Sequence, residues 1–349
     1  MRETMRAAVY RGVDCVEVEE LPVPEIGAGE ILVRVHTCGV CGTDLKKIHH
    51  GLVPPPRVFG HETAGTVMAV SAGETEWRVG DRVVVQHHVP CGDCFYCRRR
   101  LYASCPGYAR TGVTAGFEPA GGGFAEYVRV LPFVRRGIVR IPDDISFEEA
   151  SFLEPLNTVL KGVQTAGAEA GELALVIGQG PIGLLFTQVL VAEGLSVVGT
   201  DLLPFRREMA RSMGAEAADP EETDVAALCR ERTEGRGADL AVVAVASTAV
   251  IAGALRAVRR GGRVLLFAQT RMSDAVSVDA GEICAQEKSL VGSYSSDIDL
   301  QPRAAELLFS RRVRTAPLVT HRFPLEAITE ALAVASHPRA DSLKVVVQP

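Results

Sequence analysis

Three things are missing from this 349-residue sequence. It has no dense block of Lys and Arg: 37 basic side chains stand against 43 acidic ones, for a net charge of −6. A mildly acidic chain of this kind offers no positive field to neutralise phosphates, so neither nucleic acid nor a membrane surface is expected as a partner. The opening Met1-Arg2-Glu3-Thr4-Met5-Arg6 leads into no apolar segment of the type that directs secretion. The one long uncharged stretch, Leu173 to Ala192, is interrupted by Gly178, Gly180, Pro181 and Gly183. It therefore reads as a strand, a tight turn and a helix, not as a bilayer span. Short-period repeats and low-complexity linkers are absent too. What remains, 47% hydrophobic and 23% charged, has the profile of a cytoplasmic globular protein of about two domains that acts on a small molecule.

The texture of the chain changes near Ser146. Before it, short β-branched runs such as Ile31–Val35, Ala64–Val70 and Asp81–Val85 are separated by Gly and Pro, the pattern of a partly open, mostly β unit. After it, strand-like segments at 173–177, 196–200, 240–245 and 262–267 alternate with helical ones at 182–192 and 205–213. Such alternation specifies an α/β domain with a doubly wound parallel sheet. The tail returns to strand-like sequence, closing on Leu343–Val347. The expected division is 1–150 for a mostly β domain, 151–290 for the parallel α/β domain, and 291–349 for a segment that rejoins the first.

Gly178-Gln179-Gly180-Pro181-Ile182-Gly183 fits G-x-G-x-x-G and lies between a predicted strand and a predicted helix. The first glycine permits a tight turn, the second lets a pyrophosphate approach the backbone, and the third lets helix and strand pack closely. The helix N-terminus then presents free N–H groups to the anion. Asp201 follows 23 residues after Gly178, where a carboxylate accepts from the ribose hydroxyls of NAD and repels a 2′-phosphate. Arg206 and Arg207 stand close enough to hold such a phosphate, or simply form a solvated helix face.

Nine cysteines in a reducing compartment are metal ligands or catalytic groups before they are disulfides. Cys91, Cys94, Cys97 and Cys105 fall within fifteen residues, and four thiolates this close can close a tetrahedral zinc shell, which staples a loop and does no chemistry. An iron–sulfur cluster is the competing reading. Two further segments carry polar ligands in apolar surroundings, Cys38-Gly39-Val40-Cys41-Gly42-Thr43-Asp44 and Gly60-His61-Glu62, and Glu154 stands in Phe152-Leu153-Glu154-Pro155-Leu156. A catalytic zinc takes about three protein ligands and keeps one position open. Cys, His and Glu from these turns could supply them.

Together, Gly39-Val40-Cys41-Gly42-Thr43-Asp44, Gly60-His61-Glu62, the four-cysteine lobe, Glu154-Pro155-Leu156 and the glycine turn resemble the zinc-dependent medium-chain dehydrogenases/reductases, most closely the sorbitol and threonine dehydrogenase branch. The resemblance runs in order over essentially the whole chain. It implies a GroES-like catalytic domain beside a Rossmann domain, and a zinc- and NAD-dependent interconversion of a secondary alcohol, polyol-like, and its ketone. It assigns Cys41 rather than Cys38 as zinc ligand, with His61 second, and Glu62 and Glu154 filling the remaining positions directly or through water. Asp44 would fix the His61 tautomer, and Thr43 would take the alcohol proton. Relatives often carry a histidine five residues after the ligand cysteine as the end of a proton relay. Here that position is Lys46, so Lys46, His49, His50 or water near Glu154 must take over. Family analogy also places Phe59, Phe117 and the loop 111–124 near the substrate, with Thr43 and Asn157 as nearby polar groups, and implies a homo-oligomer, dimer or tetramer. A zinc-independent enone reductase would lack the Cys/His/Glu set, and a non-catalytic nucleotide-binding protein would have no use for it.

Overall fold

The computed structural model describes residues 3–117 and 121–349. It divides into two compact units, Met1–Pro155 with Asp297–Pro349, and Leu156–Ser296. The first division falls inside one helix, Leu153–Thr165, where no Gly, Ser or Pro-rich break marks it in the sequence.

In the first unit the strand Ile31–Gly39 is the hub. It pairs antiparallel with Glu62–Val70, with Tyr127–Val130 and with the last strand, Lys344–Gln348. The sheet continues through Arg82–Val85 to Val139–Arg140 on one side and through Val319–Pro324 on the other. A smaller sheet joins Cys15–Pro22, Thr4–Gly12 and Arg57–Val58. Val and Ile dominate these strands because branched side chains fill a pleated, half-buried surface. Val33, Val35, Val67, Val83, Val85, Val345 and Val347 share one core, so the C-terminal segment is packed into the same interior as the N-terminal strands.

Register carries this fold to the site. Gly39 lies opposite Glu62 on one neighbour and Val346 on the other, and Val40 N donates to Val345 O at 3.0 Å. The chain leaving the hub strand at Val40 and Cys41 thus emerges between the start of one strand and the start of another. A Cβ at Gly39 would collide with the Glu62 carboxylate and come within 2.7 Å of Lys344 Cε. Glycine is needed there because two charged side chains pass over its backbone.

The second unit is a six-stranded parallel sheet in the order Glu216–Ala218, Ser196–Thr200, Leu173–Ile177, Ala238–Val243, Val258–Leu266, Ser289–Gly292. The order reverses at the first strand in sequence, 173–177, the switch-point arrangement of Rossmann sheets. Helices Pro181–Ala192 and Pro204–Ser212 follow the first two strands. The uncharged stretch is accordingly a buried strand, a turn and one twelve-residue helix, and among the described residues no helix is long and apolar enough to cross a membrane.

Because Val346 is fully buried on the last strand while Val13 is 58% exposed, Val346→Ala should lower the unfolding free energy by about 1.5–3 kcal/mol. Val13→Ala should stay within about 0.5 kcal/mol of the parent in the same urea titration.

Candidate active site

Helix Gly42–His50 begins at the end of the hub strand, with Cys41 as its N-cap. The Cys41 sulfur accepts from Thr43 N at 3.5 Å. Asp44, fully buried in the first turn, accepts from or shares a proton with His61 Nδ1 at 3.0 Å. That contact leaves the other imidazole nitrogen for a ligand, the arrangement in which a carboxylate fixes the tautomer of a metal-bound histidine. His61 and Glu62 follow Gly60 at the head of the strand 62–70.

The sulfur of Cys41, a nitrogen of His61 and a carboxylate oxygen of Glu62 all lie within 4.8 Å of one another. Soft, borderline and hard donors so arranged fit zinc, with room for a further ligand. Charge argues the same way. Burial disfavours an imidazolium at His61, yet Asp44 and Cys41 outweigh it and raise that group well above its ordinary range. The donors sit in a pocket of negative potential that calls for a cation. Glu154 lies outside the group of three. It is 7% exposed, and burial pushes its carboxyl up to about 7, against the attraction of His61.

Two residues here escaped the sequence reading. Lys344, on the last strand and 6% exposed, donates to Glu62 at 2.6 Å and to Val40 O at 3.0 Å. Burial pulls this ammonium down, but Glu62 and Cys41 more than restore it and hold it above its usual value. His87 places its ring 4.7 Å from that of His61. Neither belongs to a local motif, and only the strand pairing brings them in.

The other expected residues differ in exposure and in partners. Thr43 is exposed on the first turn of its helix. Lys46 is half-buried on the same helix, its ammonium lowered by burial against the opposing charge of Cys41. His49 is committed away from the donors, to Asp14 and, at 2.8 Å, to Ser336 Oγ. Phe59 is 2% exposed and packs at 5.3 Å on Tyr10 within the core of the first unit. Phe117 is partly buried against the same core, Glu118, Pro119 and Ala120 of the 111–124 loop lie outside the described residues, and Asn157 is fully buried on the 153–165 helix. Cys38 is also a core thiol. It accepts from Thr63 Oγ1 at 3.6 Å, and burial pushes it up to about 12.

The four-cysteine lobe forms a second donor set. The sulfurs of Cys91, Cys94, Cys97 and Cys105 lie within 4.8 Å of one another. Cys91 N approaches Cys105 Sγ at 3.4 Å and Cys97 N approaches Cys94 Sγ at 3.5 Å, so backbone amides already point at two of the sulfurs, as they do around bound thiolates. Four sulfurs leave no open position and suit a structural zinc. Cys15, Cys229 and Cys284 stand apart, and Cys284 is exposed rather than part of a core.

In the parallel-sheet unit the glycine turn is braced from within. Gly178 takes φ +91°, and a Cβ at Gly183 would strike the Gly178 carbonyl, so the last glycine is fixed by helix–strand contact as the motif requires. The fully buried Gln179 fills the turn. Its amide donates to Val176 O at 3.0 Å, and it accepts from Thr187 Oγ1 at 2.9 Å. Asp201, just beyond the strand 196–200, accepts from Gln179 N at 2.8 Å and Leu203 N at 2.9 Å. The acid thus organises the turn with some of its lone pairs and has others to offer a ligand. Arg206 approaches Asp201 at 3.8 Å and reaches toward Gly180, whereas Arg207 is held by Asp219 at 2.7 Å and by the Asp201 carbonyl. Pro181 and Ile182 open the helix after Gly180.

Residues 27–143 match the alcohol dehydrogenase GroES-like domain family, and residues 181–310 match the zinc-binding dehydrogenase family. Over 354 positions, covering 99% of this chain and 98% of the other, the sequence is 31% identical to the sorbitol dehydrogenase of Bacillus subtilis. It is 36% identical to the D-altritol 5-dehydrogenase of Agrobacterium fabrum, with 88% of each chain covered. Among solved structures, a zinc-binding dehydrogenase from Sinorhizobium meliloti bound to NADP superposes with a TM-score of 0.89 at 27% identity and full coverage of both chains. With its two domain folds, its two donor sets and these relatives, the chain belongs to the zinc-dependent medium-chain dehydrogenase family.

Proposed function

We propose that the chain oxidises a secondary alcohol of polyol type to the ketone, and runs the reverse reduction, with zinc at Cys41, His61 and Glu62 and NAD at the glycine turn. The observation that carries the reading is the convergence of those three donors around a buried negative pocket, in a family that includes relatives named for sorbitol, altritol and arabinitol. A relative named for L-threonine at the 3-position, 32% identical over 91% of this chain, keeps an amino alcohol as the second reading. Both substrates are secondary alcohols, and the chemistry is the same.

When bound, the cofactors supply Lewis acidity that lowers the pKa of the substrate alcohol and a nicotinamide that accepts hydride. The chain supplies the rest. Asp44 holds the His61 ring in one tautomer. Lys344 neutralises Glu62 and keeps its carboxylate turned to the pocket. Thr43, on the helix that starts at the ligand cysteine, takes the hydroxyl proton, and Lys46 on that helix passes it on. Glu154 acts through water. With a proton leaving by Thr43 and a hydride leaving the carbon, the alcohol becomes the ketone and the charges balance.

For the dinucleotide, Gly178, Gly180 and Gly183 receive the pyrophosphate at the start of the 181–192 helix, joined by Pro181 and Ile182. Asp201 takes the adenosine ribose, with Arg206 beside it. A mainly apolar cavity of about 330 Å³ next to Thr200, lined by Ile177, Val225 and Val250, suits the adenine. The edge strand Ser289–Gly292, with Leu290 38% and the nearby Tyr294 62% exposed, supports a homo-oligomer joined through that sheet edge. Cysteines read as metal ligands and unpaired thiols, with no disulfide among them, support a cytoplasmic location.

Two measurements test this assignment. Metal analysis should find two zincs per chain. Cys41→Ser should lose one of them and about 99% or more of NAD reduction, while Cys94→Ser should lose the other and lower thermal stability; loss of both metals from Cys41→Ser would refute the division of labour. Asp201→Asn, which keeps one acceptor but removes the charge, should weaken NAD by about tenfold and weaken NADP less, by equilibrium titration. Equal changes for the two nucleotides would take Asp201 out of the ribose site.

A further inference from the structure

The glycine turn encloses a polar side chain that its motif does not require. Gln179, the unspecified residue between Gly178 and Gly180, is fully buried, and so is Thr187 in the second turn of the helix 181–192. A buried amide costs free energy unless both of its ends are hydrogen-bonded. Here both are: Nε2 donates to Val176 O at 3.0 Å, and Oε1 accepts from Thr187 Oγ1 at 2.9 Å. A threonine inside a helix commonly turns its hydroxyl back onto a carbonyl of its own helix. That of Thr187 reaches out of the helix to the turn, eight residues back. The neighbouring strand 196–200 leaves room for the amide, since a Cβ at Gly199 would come within 2.8 Å of Gln179 Nε2. Apolar packing alone does not select this arrangement, because an apolar pair of the same shape would fill the space with no polar atoms to satisfy.

The backbone of the same residue supplies a reason. Gly178 N donates to Thr200 O at 2.8 Å, and Gln179 N donates to Asp201 Oδ2 at 2.8 Å. The peptide that the Gln179 side chain anchors is therefore the one that aims the Asp201 carboxylate. We propose that Gln179 and Thr187 are positioning residues for the dinucleotide: their hydrogen bond fixes the peptide that orients Asp201, and thereby sets the preference for NAD over NADP. This rests on the reading of Asp201 as the ribose acid. An acceptor already held in its bound orientation pays no ordering cost when the ribose arrives. With the peptide loosened, Asp201 is free to turn, so NAD loses an aligned acceptor. A 2′-phosphate then meets less repulsion, with Arg206 only 3.8 Å from the same carboxylate. Loss of the Gln179–Thr187 bond should thus weaken NAD more than NADP.

Equilibrium titration of the zinc-loaded chain with NAD and with NADP tests this. The quantity read is the ratio of the two dissociation constants, with the melting temperature measured alongside. Thr187→Val, equal in size but without the hydroxyl, should shift the ratio away from NAD by about three- to tenfold. Thr187→Ser, which keeps the hydroxyl, should restore most of the native ratio. Gln179→Met, similar in length and lacking the amide, should repeat the result of Thr187→Val and carries the comparison if that variant does not accumulate. A purely structural role would lower the melting temperature and move both nucleotides together. A ratio within about twofold of the native one in the Val and Met variants, or an equal shift in Thr187→Ser, overturns the proposal. Asp201→Asn in the same titration separates the premise from the inference. If it leaves the native ratio unchanged, the ribose reading fails; if it moves the ratio and Thr187→Val does not, only the role of Gln179 and Thr187 fails.

Discussion

The structure depends on balancing negative charge inside the first unit. Cys41, Asp44, Glu62 and Glu154 converge at one end of a β-sheet, and three of the four side chains are buried below one-tenth exposure. Removing several anionic groups from water without compensation would cost many kcal/mol. Compensation has two sources. His61 takes up Asp44, and Lys344 takes up Glu62 from a strand 282 residues away. What remains uncompensated is the face of Cys41, His61 and Glu62 directed at each other, and the proposed divalent cation would complete the balance there. The buried ion pair also accounts for Gly39, since only a residue without a side chain lets Glu62 and Lys344 meet above it. The C-terminal strand thus does more than extend the sheet: it brings the positive charge that pairs with Glu62.

That placement separates what was legible in the sequence from what was not. The four-cysteine lobe is a local object. Spacings of three, three and eight residues brought its sulfurs together whatever the rest of the chain did. The glycine turn is local as well: its strand stands where the apolar run put it, at 173–177, and its helix starts one residue before the expected 182, at 181–192. The proposed ligands Cys41, His61 and Glu62 come from two turns, and the family resemblance singled them out, with Glu154 as an alternative, because their flanking residues are distinctive. Lys344 gave no such signal. A lysine in Leu343-Lys344-Val345-Val346-Val347 reads as the polar member of a strand, and its burial follows only from the pairing of Val346 with Gly39. His87 was hidden for the same reason, and Gln179 was concealed inside the motif as one of its unspecified positions, although its side chain fills the turn that the glycines leave open. For Phe59, which analogy places near the substrate, the packing on Tyr10 shows a buried core ring.

The two donor sets differ in a way that matters for function. Around the four-cysteine lobe every donor is sulfur, two backbone amides point at the sulfurs, and nothing is left for a substrate to displace. Around Cys41 the donors are mixed, the neighbours are ionisable, and a polar ring borders the set with an unpaired nitrogen. The first arrangement holds a loop in shape; the second can bind, polarise and release. Donor type and openness, together with the family, are the grounds on which the metal chemistry is proposed for Cys41, and the three donors are all residues of the first unit.

The central claim is that the cation balancing Cys41, His61 and Glu62 is the one on which alcohol oxidation depends. Graded chelation tests it most directly, with zinc content and NAD reduction followed on the same samples. The account predicts that activity falls in proportion to the loss of one zinc per chain, while the four-cysteine zinc is still in place, and returns on adding zinc back. Full alcohol oxidation by protein whose Cys41 site has been emptied would contradict it.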